Sequence, residues 1–307
     1  KLGVDSDVDS IVENEMKTNS RAKQKLGTGP DSIVDPSSQI NELRLRKSSA
    51  EIELMRHSAK IASQAHIQAM ANTRPGIGEW QLEGIIEGVF KYCRSSGTAY
   101  PCIIGSGDNA TVLHYNVNDD ICEDGEILLI DAGCEYNGYA SDITRSWPVN
   151  GKFTDAQAEI YQIVLDSQLA AIDECRVGNP YDAPHLAARR VLAEGLIKLG
   201  VISQSLEEAI STDGELNNWY MHNTGHWLGL DVHDVGVYRP DGQPRVLEEG
   251  MVLTVEPGLY FGAWRPDVDC PERYANIGIR IEDDVLVTKD SVEVLSSSAL
   301  KNVKDLE

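Results

Sequence analysis

Apolar residues settle into a helical rhythm only after residue 47. Ser48 and Glu51 stand at capping-box spacing, and Ile52, Met55, Ala59, Ala62 and Ala69 follow on one face until Arg74-Pro75-Gly76 stops the pattern. A second helix is predicted near Glu79 to Tyr92. Thr154 with Gln157 opens a third, carried by Ile160, Ile163, Val164 and Leu169, and a fourth spans roughly Asp182 to Leu199. Three short runs differ: Ile127 to Ile130, Met251 to Val255 and Ile279 to Val287 are β-rich and bounded by glycines, which predicts strands. Helices and strands therefore share one α+β domain, expected over residues 48–307. Residues 1–47 are polar and broken by Gly27, Gly29, Pro30 and Pro36, the pattern of a linker or remnant rather than of a packed unit.

One stretch occurs twice. Glu123-Asp124-Gly125-Glu126-Ile127-Leu128-Leu129-Ile130-Asp131-Ala132-Gly133 is echoed by Glu248-Glu249-Gly250-Met251-Val252-Leu253-Thr254-Val255-Glu256-Pro257-Gly258, and both copies end a strand in a carboxylate. Two copies so far apart suggest a duplicated half-domain with pseudo-two-fold symmetry, whose carboxylates face each other. The first copy runs on into Asn137-Gly138, a strong hairpin signal. If those two residues form the loop, Tyr136 pairs with Tyr139, Gly133 with Asp142 and Asp131 with Thr144, so Asp131 and Asp142 share a face. Like charges so placed imply either a bound cation or a shared proton.

Glu256, Glu282 and His226 extend this set, since Glu256 ends the echoed strand and the other two sit in runs dense in charged and imidazole side chains. Four carboxylates with one imidazole suit two hard or borderline divalent ions, manganese before zinc. Such a pair acidifies a water and polarises a carbonyl, the chemistry of peptide-bond hydrolysis. His222 and His226 have the spacing of H-E-x-x-H, but position 223 is Asn and Gly225 would weaken a helix there. Gly105-Ser106-Gly107 is too short for a phosphate loop, and no G-x-S-x-G elbow is present.

Composition narrows the partners. Of 307 residues, 41% are hydrophobic, enough for a sizeable core, yet no run approaches the roughly 18 apolar residues of a membrane span. Asp plus Glu outnumber Lys plus Arg by 49 to 27, which disfavours nucleic acid and anionic membranes as partners. Six scattered cysteines without a C-x-x-C pair fit a reducing compartment, and no basic-then-apolar leader follows Lys1, so a cytoplasmic location is expected.

The runs Val112-Leu113-His114-Tyr115, Leu129 to Gly133, Ser141-Asp142-Ile143-Thr144-Arg145, Gly225 to Asp234, Val255-Glu256-Pro257-Gly258 and Ile279 to Asp284 together resemble bacterial aminopeptidase P. That group belongs to the metallopeptidase family that also holds prolidase, methionine aminopeptidase and creatinase. The resemblance covers the chain from about residue 40 onward and implies the pita-bread fold, two α/β half-domains around a dinuclear metal site. It assigns Asp131, Asp142, His226, Glu256 and Glu282 as ligands of two divalent ions, manganese first with zinc or cobalt as alternatives. Glu256 matches the general base, His114, His222 and His233 the substrate-binding and proton-handling imidazoles, and Arg280 the residue orienting the site beside Glu282. Tyr260 resembles an aromatic wall for proline, or equally a core tyrosine. The partners implied are peptides with proline at position 2, and a homo-oligomer when the N-terminal domain is complete.

An imidazole near neutrality can donate to an oxyanion or protonate an amine, which supports the histidine roles independently. His57, His66 and His185 lie on predicted helices without motif partners and read as structural or solvated. The chain departs from the resemblance in two places: only about 47 residues precede the catalytic part, and Asn223 stands where relatives show Gly or Arg. Within the family, Arg280 replaces the Gln usual in methionine aminopeptidases, and the run around Trp227 favours aminopeptidase P over prolidase, the runner-up. A catalytically inactive binding protein on the same fold is the reading from a different class.

Overall fold

The computed structural model describes residues 14, 17 and 35–307. The chain divides into two compact units, Lys1–Ile40 and Asn41–Glu307. Helix α1 (Ser37–Leu45) starts where Asp35 accepts from the Ser37 N–H at 2.9 Å. The larger unit holds the helices and strands that follow α1.

Ser48 caps α2 (Ser49–Asn72) in a full capping box with Glu51, and Met55, Ala59, Ala62 and Ala69 face inward from it as their spacing requires. Helix α3 (Glu79–Tyr92) lies beside it and buries Leu82, Ile86 and Phe90. Together these helices cover one face of an antiparallel sheet made of β2 (Ile103–Ser106), β3 (Ile127–Asp131) and β6 (Thr144–Pro148), where Ile104, Leu128 and Ile130 meet them. Each fully buried Leu or Ile in such a layer contributes about 1.5–3 kcal/mol.

The second half repeats the plan. Thr154 caps α4 (Asp155–Asp173), which packs on α5 (Ala183–Lys198), and Ile160, Val164, Leu192 and Leu196 form a core with Leu259 and Ile279. Leu169 is the exception on α4: its side chain faces outward and is exposed, although the apolar spacing placed it with the others. The strands here are β7 (Val252–Val255), β8 (Gly258–Tyr260), β9 (Gly278–Arg280), β10 (Asp283–Val287) and β11 (Val292–Val294), in antiparallel sheets ordered β11-β10-β7 and β8-β9.

The echo is visible in the backbone. Gly125 and Gly250 turn into their strands at φ +88° and +87°, the left-handed region glycine enters without penalty. The hairpin also takes its expected register: β4 (Cys134–Tyr136), flanked on its other edge by the short β1 (Gly97–Thr98), joins β5 (Tyr139–Ala140) with Tyr136 opposite Tyr139, and farther back Asp131 pairs with Thr144. Asn137 and Gly138 sit at φ +50° and +89°, as a two-residue turn matching the strand twist demands.

Ile279 to Val287, in contrast, is not one strand. β9 pairs with β8, β10 pairs with β7 and β11, and the chain changes sheets at Ile281-Glu282. At that break the Glu282 N–H donates to Thr144 O of the other half at 3.0 Å, so the carboxylate is delivered to the seam. Behind it Arg145 bonds Asp283 at 2.7 Å, both side chains fully buried, and Lys301 meets the same carboxylate at 2.7 Å. Among the described residues, no helix is long and apolar enough to cross a membrane.

Candidate active site

The seam between the halves opens into a cavity of about 260 Å³. β3 ends in Asp131, the strand after the hairpin begins beyond Asp142, Glu256 follows β7, and Glu282 occupies the sheet change; all four line the cavity together with His114, His222, His226, His233 and Arg280. Of the ten residues singled out from the sequence, nine therefore meet here. Tyr260 does not line it. It is 1% exposed and lies behind Arg280 and His222, hydrogen-bonded to both.

His226 shows what the centre can hold. Its Nδ1–H donates to Trp227 O at 3.0 Å, which leaves the Nε2 lone pair facing Asp142 Oδ2 at 3.3 Å and Glu256 Oε1 at 3.6 Å. A lone pair aimed at carboxylates is repelled unless a proton or a metal ion lies between them. With protons alone, burial lowers the His226 pKa, but the Asp142 hydrogen bond and charge outweigh it and raise the value to about 9. The carboxylates carry the same frustration. Burial pushes Glu256 up to about 7 against the pull of His226 and Arg280, and burial with the Asp142, Glu256 and Asp131 charges drives Glu282 well above the carboxylate range. Ligand atoms of Asp142, His226 and Glu282 lie within 4.8 Å of one another. An oxygen-rich set with one imidazole lone pair, destabilised as free anions, fits divalent cations.

The surrounding bonds hold these groups still. Arg280 donates to Asp131 Oδ2 at 2.7 Å, to Thr144 Oγ1 at 3.1 Å and to Tyr260 Oη at 2.9 Å. Because Tyr260 accepts from Arg280, its own O–H is free to donate to His222 Nε2 at 2.8 Å, while His222 Nδ1 donates to Asn223 O at 2.8 Å. Both His222 nitrogens are thus engaged within the protein. Burial, with the Arg280 charge beside it, lowers its pKa to about 3, so the ring is neutral. His233 packs its ring edge-on to His226 with centroids 4.2 Å apart, and burial followed by the His226 charge lowers its pKa. His114 is exposed at the mouth.

Three participants were not singled out from the sequence. The Tyr100 hydroxyl lies 2.6 Å from Asp131 Oδ1 and 2.5 Å from Asp142 Oδ1, so its single proton is shared between the two acids. Thr144 donates to Glu282 Oε2 at 2.5 Å, and Asp284 accepts the Asp142 N–H at 3.2 Å. Tyr100 reads in sequence as an ordinary core aromatic, whereas Thr144 and Asp284 stand inside the motif runs without being ligands. His66 and His185 are structural: His66 is buried against Ala132 O at 3.1 Å, and His185 Nδ1 meets Thr224 Oγ1 at 2.8 Å. His57 packs on Tyr136. The segment from His222 to His226 is not helical, which removes the H-E-x-x-H comparison.

Comparison with known proteins agrees with this geometry. The model of metallopeptidase family M24 matches residues 53–289. A Xaa-Pro aminopeptidase of Escherichia coli is 44% identical over 299 residues, covering 97% of this chain and 67% of that protein. One from Haemophilus influenzae is 43% identical, covering 90% and 63% respectively. The solved structure of Pseudomonas aeruginosa aminopeptidase PepP superposes with a TM-score of 0.92 at 41% identity, covering 99% of this chain and 68% of its own. The chain thus spans about two thirds of the length of these relatives. On its fold, its seam of acids and its sequence, the chain belongs to metallopeptidase family M24, with the pita-bread architecture that the family shares.

Proposed function

We propose that this chain is a metal-dependent aminopeptidase that removes the first residue from peptides with proline second. The observation carrying this reading is the convergence of four carboxylates and the His226 Nε2 lone pair in one cavity. The Xaa-Pro aminopeptidases among its relatives supply the substrate class. Asp131, Asp142, His226, Glu256 and Glu282 would hold two divalent ions, manganese before zinc or cobalt on donor type. When bound, the ions supply acidification of a water and polarisation of the scissile carbonyl.

The protein's own groups do the rest. Glu256, whose Oε1 lies 3.6 Å from His226 Nε2 at the floor of the cavity, can accept a proton from water and return it. Arg280 fixes Asp131, and through Tyr260 it fixes His222 as a neutral ring. His233 and His114 line the cavity with imidazoles able to donate to a substrate carbonyl. An Xaa-Pro bond has no N–H, so recognition rests on shape, for which Leu113 and His222 offer the surface. Six free thiols among the described residues are consistent with a reducing, cytoplasmic setting.

The test is to supply manganese and follow product release from an Xaa-Pro-Yaa tripeptide and an Xaa-Pro dipeptide. Preferential cleavage of the tripeptide is expected. Cleavage confined to the dipeptide would transfer the reading to a prolidase, and no cleavage of either would sink the peptidase reading.

A further inference from the structure

We propose that Glu79 is a positioning residue for His114, acting through the hydroxyl of Tyr115. The inference rests on the functional reading above for the importance of His114, but the contact itself does not.

Glu79 is the first residue of α3 and is fully buried, an unusual place for a carboxylate unless its oxygens are occupied. They are. Oε1 accepts from the Ser106 N–H at 2.9 Å, from Ser106 Oγ at 3.4 Å and from Asn109 Nδ2 at 3.2 Å. Oε2 accepts from Tyr115 Oη at 2.9 Å and from the Asp120 N–H at 3.1 Å. All five donors belong to one segment, residues 106–120, which leaves β2 and carries His114. In addition, the Glu79 N–H donates to Asp120 O at 2.9 Å, so the helix start grips the far end of the loop by backbone as well.

Within that segment His114 has little else to hold it. Among the described residues, 112–117 make one hydrogen bond to a side chain outside the loop, and it is Tyr115 to Glu79. Leu113 and Tyr115 also rest on the apolar cluster of Ile103, Ala110, Leu129 and Tyr260. Packing fixes the depth of the loop without fixing rotation about it, whereas a hydrogen bond to a charged acceptor is directional. The residue next to His114 is therefore pinned at its far end by a carboxylate that four other donors already hold in place. Every partner of the Glu79 carboxylate is a donor, so Glu79→Gln must set an amide N–H₂ against one group of them. Tyr115→Phe keeps the ring and removes the hydroxyl, and with it the pin and the longer contact to Asp119 Oδ1 at 3.3 Å within the same loop.

The experiment has two arms on the full chain. In the first, histidine-selective NMR of the zinc-loaded protein identifies the His114 ring signal by its loss in His114→Ala. Tyr115→Phe and Glu79→Gln should each shift or broaden that signal and leave those of His66 and His185 in place. An unmoved His114 signal in both variants overturns the proposal, whatever the chain's activity. In the second arm, kcat/KM on an Xaa-Pro-Yaa tripeptide is measured for both variants with and without His114→Ala. Each should lose about tenfold in the parent and nothing further once His114 is gone. Equal losses in both backgrounds would make Glu79 a general scaffold residue and overturn the positioning role. A parent that cleaves no such peptide defeats the functional reading instead, and the NMR arm then decides the inference alone.

Discussion

Asp131 and Glu282 reach the cavity from different halves, one at a strand end and the other at a sheet change, and both would give oxygen to the ions. Removing either should lower metal content and reduce kcat/KM by about 100-fold or more, if a lost ligand costs about 3 kcal/mol in the transition state. Atomic absorption on purified Asp131→Ala and Glu282→Ala checks the first half of that expectation. Two ions still bound per chain in either variant would remove these residues from the ligand set. At this scale the sequence was informative because acids and histidines stand out in runs of fixed type. It was divided on Tyr260 and silent on Tyr100, whose work is done by a hydroxyl at the end of a ring that looks like core. Whether Tyr260 faced the cavity or Arg280 depended on side-chain direction, which spacing does not encode.

Elements were legible where a local rule governs them. Capping boxes marked α2 and α4, and the Asn137-Gly138 turn set a register that brings Asp131 and Asp142 together. Non-local rules were not legible. The break at Glu282 exists because β9 and β10 have different partner strands, and Leu169 is exposed because no described residue covers that side of α4. Lys47 is a further case, a residue in a polar stretch whose ammonium lies buried 3.2 Å from Asp234, next to His233. Arg44 reaches the same carboxylate. Asp234→Leu would leave the Lys47 charge buried without its partner and should destabilise the fold by about 3–5 kcal/mol. Lys47→Met, which leaves Asp234 paired with Arg44, should cost less. Urea unfolding of the two variants tests the order, and equal losses would show that the stranded lysine charge is not what destabilises the fold.

Helix α2 also makes stability depend on pH. Burial lowers the His66 pKa from 6.5 to about 4, against the opposing pull of the Ala132 and Ile143 backbone. The folded state thus resists a proton that the unfolded chain accepts. This contribution is complete above pH 6.5 and is lost as pH falls toward 4, by about 3 kcal/mol in all. Urea midpoints measured from pH 7 to 4 should fall less steeply for His66→Leu than for the parent. Parallel curves would mean that His66 does not resist protonation in the fold.

In the whole molecule, two similar halves each offer a strand that ends in an acid, and the site forms only where they meet. The repeated segment disclosed that symmetry, and the turns at Gly125 and Gly250 preserve it at nearly equal φ. The seam itself, with Arg145 on Asp283 and Thr144 on Glu282, joins residues more than 130 positions apart, so no window of sequence contains it. An excess of 49 acidic over 27 basic residues remains consistent with a small peptide rather than a polyanion as substrate. The proposed function ties fold, metal and substrate together through one requirement, proline at the second position. The direct measurement is kcat/KM of the manganese-loaded chain on two tripeptides that differ only in Pro or Ala at that position. A preference for the proline peptide of about 100-fold or more is predicted, corresponding to roughly 3 kcal/mol of lost transition-state contact. Equal rates would contradict the proline-directed assignment and leave only a general metal aminopeptidase.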